Sequence, residues 1–298
     1  MPGSDFTLAA DPDGDAEDAF SLLADETRLA IVRALAASPR EPLSFSELRD
    51  RVGVADSGRF NYHLGKLTGR FVKKSEEGYE IRLAGWAVVG AILAGAYTRG
   101  DDIGAIPVDH RCSTCDGRVE ATYVDERVTV RCTDCDRTFL DAGIPPGVLE
   151  GYDDADLPEV ADRYVGSLLA QARRGFCMSC QGRMEPHLSV GADDPRTDDV
   201  FEEPQAVYGC ARCREKIVTG MGMAYLDHPA VVSFYYDHGV DLSQPFLWGT
   251  AWHDKPTLSV VADDPLRAAI DFEVEDETLT LTIDEGLEVH GVERSPAP

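Results

Sequence analysis

The chain has 298 residues, 43% of them hydrophobic, and sets 28 Lys and Arg against 54 Asp and Glu for a formal net charge of -26. That length holds two or more compact units. The acidity excludes a basic surface over most of the chain: residues 1–100 carry 15 acidic and 12 basic side chains, the rest 39 and 16, and only residues 56–82 are locally basic, with 4 against 6.

Residues 1–14 are acidic and contain Gly and Pro, which predicts a disordered tail and no secretory leader. A helical run starts near Asp15. Asp25 is placed to cap a second helix with Leu29, Ile31, Val32 and Leu35 at helical spacing, ended by Ser38-Pro39. Ser44-Phe45-Ser46-Glu47 reads as a capping box opening a short helix that Gly53 closes. Asp56 caps the next helix, to about Gly69. Phe71–Ser75 and Tyr79–Leu83 read as a hairpin around Glu76-Glu77-Gly78. The apolar run Leu83–Tyr97 is about five residues short of the roughly 20 that a spanning helix needs. A packed or dimer-forming helix over 84–98 is expected instead, with no membrane partner.

Four Cys-x-x-Cys pairs follow: Cys112/Cys115, Cys132/Cys135, Cys177/Cys180 and Cys210/Cys213. Each pair presents two thiolates from one tight turn, and two facing turns make a tetrahedral four-sulfur site suited to zinc, Zn2+. The pairs therefore predict two zinc ribbons, over 106–142 and 175–220, with structural rather than catalytic metal. CSTCDGRVE and CMSCQGRME mark them as an internal duplication. His110 is a surplus ligand beside four cysteines. VEATYVDERVTV reads as two strands of the first ribbon; the insert 193–204 of the second, DDPRTDDVFEEP, reads as a mobile loop. Between the ribbons, 143–174 is a linker with helical spacing from Leu157. Beyond them, 221–298 is an α+β segment: a helix at Pro229–His238, then short alternating runs from Pro256 to Val292 that suggest an antiparallel sheet. The fold class expected is α+β and multidomain.

Within the helix from Ser57, residues Phe60, His63, Leu64 and Leu67 share one face, which makes His63 a core histidine. The opposite side shows Arg59, Tyr62 and Lys66, with Asn61 and Gly65 beside them. Arg suits guanine edges, Asn suits adenine and Tyr a phosphate or base edge. LADETRLAIVRAL, SFSELRDRVG, DSGRFNYHLGKL and FVKKSEEGYEIRL together resemble the ArsR-like winged helix-turn-helix regulators of archaea over roughly residues 16–98, within an expected domain of 15–99. The resemblance implies that the helix from Ser57 enters the major groove of double-stranded DNA. It places Ser57, Arg59, Asn61 and Tyr62 at base-contacting positions and makes Lys66, Arg70, Lys73 and Lys74 phosphate partners. Two departures qualify it: the wing tip carries Glu76 and Glu77, and Glu47–Arg51 lacks the thiolates of the metal-sensing branch. The scarcity of Lys (Lys66, Lys73, Lys74, Lys216 and Lys255 alone) beside so many carboxylates matches a salt-accumulating halophile, where the Debye length shrinks to about 3 Å.

The expectation is thus a cytoplasmic, haloarchaeal-type DNA-binding regulator. It is a homodimer through helices 16–23 and 84–98, with ribbons and C-terminal segment serving partners or effectors. The fold also serves as a protein-interaction module. The alternatives are an adaptor like archaeal transcription factor E, which contacts RNA polymerase, and a CxxC thiol oxidoreductase. No P-loop, GxSxG or HExxH is present, so no enzyme is expected. His228, His238 and His253 lie scattered among aromatics, where a small-molecule pocket would be the functional reading.

Overall fold

The computed structural model describes residues 15–98, 100–190, 204–242 and 256–296. The expected tail 1–14, residues 193–203 of the second ribbon's insert, His253, Trp248 and Trp252 lie outside the described residues. The chain is mixed α+β, with four small antiparallel sheets. It divides into two compact units, residues 1–100 with 145–147 and residues 101–144 with 148–298.

In the first unit the helices are α1 (Asp15–Leu23), α2 (Glu26–Ala36), α3 (Phe45–Val52), α4 (Ser57–Leu67) and α5 (Leu83–Leu93), with the hairpin β1 (Val72–Lys74) and β2 (Tyr79–Ile81) before α5. The caps are the ones that side-chain chemistry predicts. Asp25 accepts from the Arg28 amide at 3.0 Å. Ser44 and Glu47 cap each other's backbone amides at 3.3 and 2.9 Å. Asp56 accepts from Gly58 and Arg59 at 2.7 and 3.0 Å. Each cap satisfies amides that the first helical turn leaves without partners.

The core joins Ile31, Val32 and Leu35 of α2 with Leu48 of α3, Phe60, Leu64 and Leu67 of α4, Phe71 and Val72 at the hairpin and Val89 of α5. The Phe45 and Phe60 rings meet edge to face, centroids 5.1 Å apart. Each such side chain, fully buried, contributes about 1.5–3 kcal/mol. Leu43 and Tyr79 exchange both backbone hydrogen bonds, which pins the hairpin to the segment before α3. Gly78 permits that approach: its φ is +143°, and a Cβ there would stand 2.5 Å from the Leu43 carbonyl oxygen. The apolar helix stops at Leu93, a turn short of the expected 98, and Gly95 turns the chain in a left-handed conformation at φ +75°.

In the second unit, β3 (Ile103–Arg111), β4 (Arg118–Val124), β5 (Arg127–Cys132) and β6 (Thr138–Gly143) form one meander. The outer strands β3 and β6 extend the two-stranded ribbon that the sequence pattern predicts. The first two cysteine pairs occupy the β3–β4 and β5–β6 turns. Helix α6 (Leu157–Arg173) lays Leu157 and Ala161 on this sheet's core and puts Leu169 and Ala172 into the next one.

The second ribbon is β7 (Met184–Ser189), β8 (Gln205–Cys210) and β9 (Lys216–Gly220). Helices α7 (Met221–Ala224) and α8 (Pro229–Asp237) lead to a four-stranded meander: β10 (Thr257–Asp263), β11 (Leu266–Val274), β12 (Glu277–Asp284) and β13 (Val289–Pro296). Ribbon and meander share one core. Ile270, Phe272, Leu279, Leu281 and Ile283 cluster with Cys177, Met184, Leu188, Tyr208 and Cys210, and with Val231, Phe234 and Tyr235 of α8. Two hydrogen bonds reinforce it: Leu188 N–H to the Glu285 carbonyl at 2.8 Å, and the Tyr225 hydroxyl to the Leu287 carbonyl at 3.0 Å.

Candidate functional site

Each Cys-x-x-Cys pair closes the same knuckle. The first cysteine's amide donates to the carbonyl five residues on: Cys112 to Gly117, Cys132 to Arg137, Cys177 to Gly182 and Cys210 to Glu215. The residue after the second cysteine is left-handed in all four, with φ of 57° at Asp116, 58° at Asp136, 58° at Gln181 and 63° at Arg214. Amides then point at sulfur: Thr114 at Cys112, Asp134 at Cys132, Ser179 at Cys177 and Arg212 at Cys210, each at 3.4 Å. Such N–H···S contacts favour thiolate over thiol.

The knuckles face each other in pairs. Sγ separations are 3.6 Å for Cys112–Cys135 and 3.5 Å for Cys115–Cys132; in the second set they are 3.6 Å for Cys177–Cys213 and 3.5 Å for Cys180–Cys210. All four sulfurs of each set lie within 4.8 Å of one another, and none of the eight cysteines is in a disulfide. Both sets can hold a metal ion. A tetrahedral ion with bonds of about 2.3 Å would space its sulfurs by about 3.8 Å, close to what is found.

The electrostatics of the thiols explain why these sets need a cation. Burial raises the Cys112 thiol, but the Thr114 and Cys115 amides and neighbouring thiols outweigh it and bring it down to about 6. Cys115 is pushed up to about 12, first by its contact with Cys135. The second set repeats the split. The Cys213 amide leads in lowering Cys210 to about 6, whereas Cys213, against the Glu215 amide, is pushed up to about 12 by the surrounding thiols and burial. Four thiolates packed this closely are mutually repulsive without a positive charge among them.

On α4, Phe60, His63, Leu64 and Leu67 are buried, as their spacing predicts. His63 Nδ1 lies 3.3 Å from Asp25 Oδ1, a polar contact that the apolar-face reading of this histidine does not supply. Ser57, Arg59, Asn61, Gly65 and Lys66 are exposed, and Tyr62 is 60% exposed. The Lys66 ammonium stands 5.6 Å from the centre of the Tyr62 ring. Four α4 side chains of two chemistries, cationic and hydrogen-bonding, thus share one open face.

The hairpin is less open. Lys73 faces Glu80 across the strands at 3.4 Å, and Lys74 stands over the Tyr79 ring at 5.7 Å. Arg70 is half-buried and lines a cleft with Lys66 and Arg82. Arg82 escapes sequence reasoning because nothing in its local pattern marks it; only the fold brings it beside Lys66. Helix α5 leaves Leu83, Trp86 and Leu93 exposed at 84%, 40% and 70%. Of the scattered histidines, His228 caps α8 through its ring nitrogen and His238 bonds the Phe234 carbonyl, so both have structural partners. A third group, Asp284, Glu288 and His290, also has ligand atoms within 4.8 Å, but Arg267 already supplies a cation 3.6 Å from Asp284.

No helix among the described residues is long and apolar enough to cross a membrane. No curated protein and no solved structure matches the chain. Residues 16–92, which hold α4 and the hairpin, match the family model described as Domain of unknown function (DUF7347). Residues 109–289 span both cysteine sets and more than half of the chain; they match the model described as Domain of unknown function (DUF7351), and the chain belongs to that family.

Proposed function

We propose that this protein is a DNA-binding transcriptional regulator whose first unit is a winged helix-turn-helix with α4 as its reading helix. The observation that carries this reading is the face of α4: Arg59, Asn61, Tyr62 and Lys66 stand open while the opposite side is sealed in the core. Arg59 and Asn61 suit base edges, and Lys66 suits a phosphate. The hairpin Lys73 is neutralised by Glu80, and the tip bears Glu76 and Glu77, so the wing adds little to minor-groove attraction.

Each four-cysteine set holds one structural zinc in this account. Four thiolates leave no open coordination position, so no chemistry is assigned to the metal. Two copies associate through the apolar face of α5. Leu83, Trp86, Gly90 and Leu93 recur at spacings of three and four, and one reading helix alone covers only a few base pairs.

Genomic fragments captured by the full chain in multimolar KCl test the reading, with the Arg59→Ala/Tyr62→Ala variant as control. Selective capture that the variant loses supports it; equal capture by both refutes it. A polymerase adaptor would instead co-purify with RNA polymerase and show no sequence preference. A thiol oxidoreductase would hold no zinc and titrate as disulfides.

A further inference from the structure

The basic residues of the first unit are not all placed alike. Arg49 pairs with Asp50 and Lys73 with Glu80, but Lys66 and Arg82 have no acidic partner within salt-bridge distance among the described residues. They come together on the wall of a cleft of about 660 Å³, which Arg70 also lines, with Asp18, Ser21 and Leu22 of α1 on the wall as well. In a chain of net charge -26, two such cations on one concavity make an unusual local surface.

The arrangement is held from below. One guanidinium N–H of Arg82 donates to the Gly69 carbonyl, and the Arg82 amide donates to Phe71. That fixes the side chain at the base of the hairpin and leaves most of its five donors for a ligand. Lys66 has three donors, and the Ser21 hydroxyl adds a neutral one. The cleft is open to solvent, and its volume has room for more than a lone phosphate. Among the described residues Asp18 is the one carboxylate on the wall; it repels a bare anion but accepts from a hydroxyl.

We propose that this cleft binds a phosphorylated small molecule bearing hydroxyl groups, of the sugar-phosphate class. Lys66 and Arg82 hold the phosphate oxygens, with Arg70 adjoining and Ser21 donating. Asp18 accepts from a hydroxyl of the sugar. The binding itself goes beyond the DNA reading and does not need it. If α4 reads DNA, the occupied cleft withdraws Lys66 from the duplex, and the ligand weakens operator binding.

The test is calorimetric titration of the zinc-loaded full chain with ribose 5-phosphate and with pyrophosphate, at one fixed KCl concentration. Both probes are expected to saturate at one per chain. Arg82→Gln and Lys66→Gln should each weaken both by about tenfold or more, the usual worth of a charge-assisted hydrogen bond. Asp18→Ala removes both the acceptor and the repelling charge, so it should lower the affinity of ribose 5-phosphate relative to that of pyrophosphate. Absence of saturable binding to the wild-type chain, or binding that neither cation variant changes, overturns the proposal. If neither probe binds while Arg82→Gln weakens duplex binding, the phosphate belongs to the DNA backbone, and the small-molecule assignment fails. The Arg59→Ala variant, whose side chain is not on the cleft wall, should bind both probes normally, so a failure of the DNA reading leaves this result standing.

Discussion

Loading the first four-cysteine set with zinc should release protons, and the structure sets how many. Without metal, Cys115 sits at about 12. Cys135 is also raised: the Arg137 amide and the Cys115 thiol lower it, but burial and the Cys132 and Cys112 thiols outweigh them. Both therefore carry their protons at neutral pH, while Cys112, at about 6, has already lost its own. Zinc binds thiolates only, so uptake at neutral pH displaces about two protons or more from this set. The sign follows: metal affinity rises with pH. Cys112 is depressed in the folded state, so its share of stability is in place above the ordinary thiol range and is lost as pH falls through about 6. Calorimetry of zinc uptake in buffers of different ionisation heat counts the protons directly, and the Cys112→Ser/Cys115→Ser variant isolates the second set. Uptake without proton release, or affinity that is flat between pH 6 and 8, would refute the assignment of four thiolate ligands.

Other outcomes follow from named contacts. Phe60 is fully buried against Phe45, so Phe60→Ala should cost about 3–5 kcal/mol in urea unfolding of the first unit; a loss below about 1 kcal/mol would show that the site is not packed as described. Gly78→Ala meets the Leu43 carbonyl oxygen at 2.5 Å, whereas a Cβ at Gly53, also left-handed at φ +75°, meets nothing within 4 Å. Gly78→Ala should therefore destabilise clearly more than Gly53→Ala, whose cost is backbone strain of about 1 kcal/mol. Equal losses by thermal melting would contradict the pinned hairpin. Trp86→Glu/Leu93→Glu places charges on the open face of α5 and should convert a dimer to monomers in light scattering, with circular dichroism unchanged; a wild-type chain that is already monomeric at micromolar concentration removes the dimer.

Much of this is legible in the sequence because it is local. Asp25, Ser44 with Glu47, and Asp56 each announce a helix start by the chemistry of one side chain. The cysteine sets are legible because the knuckle is built within six residues and its repetition is visible as a motif. The misses need information from farther along the chain. Strands β3 and β6 flank the ribbon hairpin with half-exposed, bulged pairings and no clean alternation. The shared core of the second ribbon and the C-terminal meander joins residues such as Cys177 and Phe272, which no periodicity relates. Lys73 reads as a phosphate partner from its charge and its place in the resemblance; the register that sets it opposite Glu80 is a property of the pair of strands. Arg82 joins Lys66 only because the hairpin folds back beside the end of α4.

The central claim is that α4 reads DNA with the face formed by Arg59, Asn61, Tyr62 and Lys66. Its most direct measurement is fluorescence anisotropy on a duplex selected from genomic fragments, titrated with wild-type chain and with Arg59→Ala/Tyr62→Ala at one fixed KCl concentration. The side chains are exposed, so folding should be unaffected, while the lost base contact should weaken binding about tenfold or more and flatten sequence preference. Unchanged affinity and preference in the double variant would contradict the account.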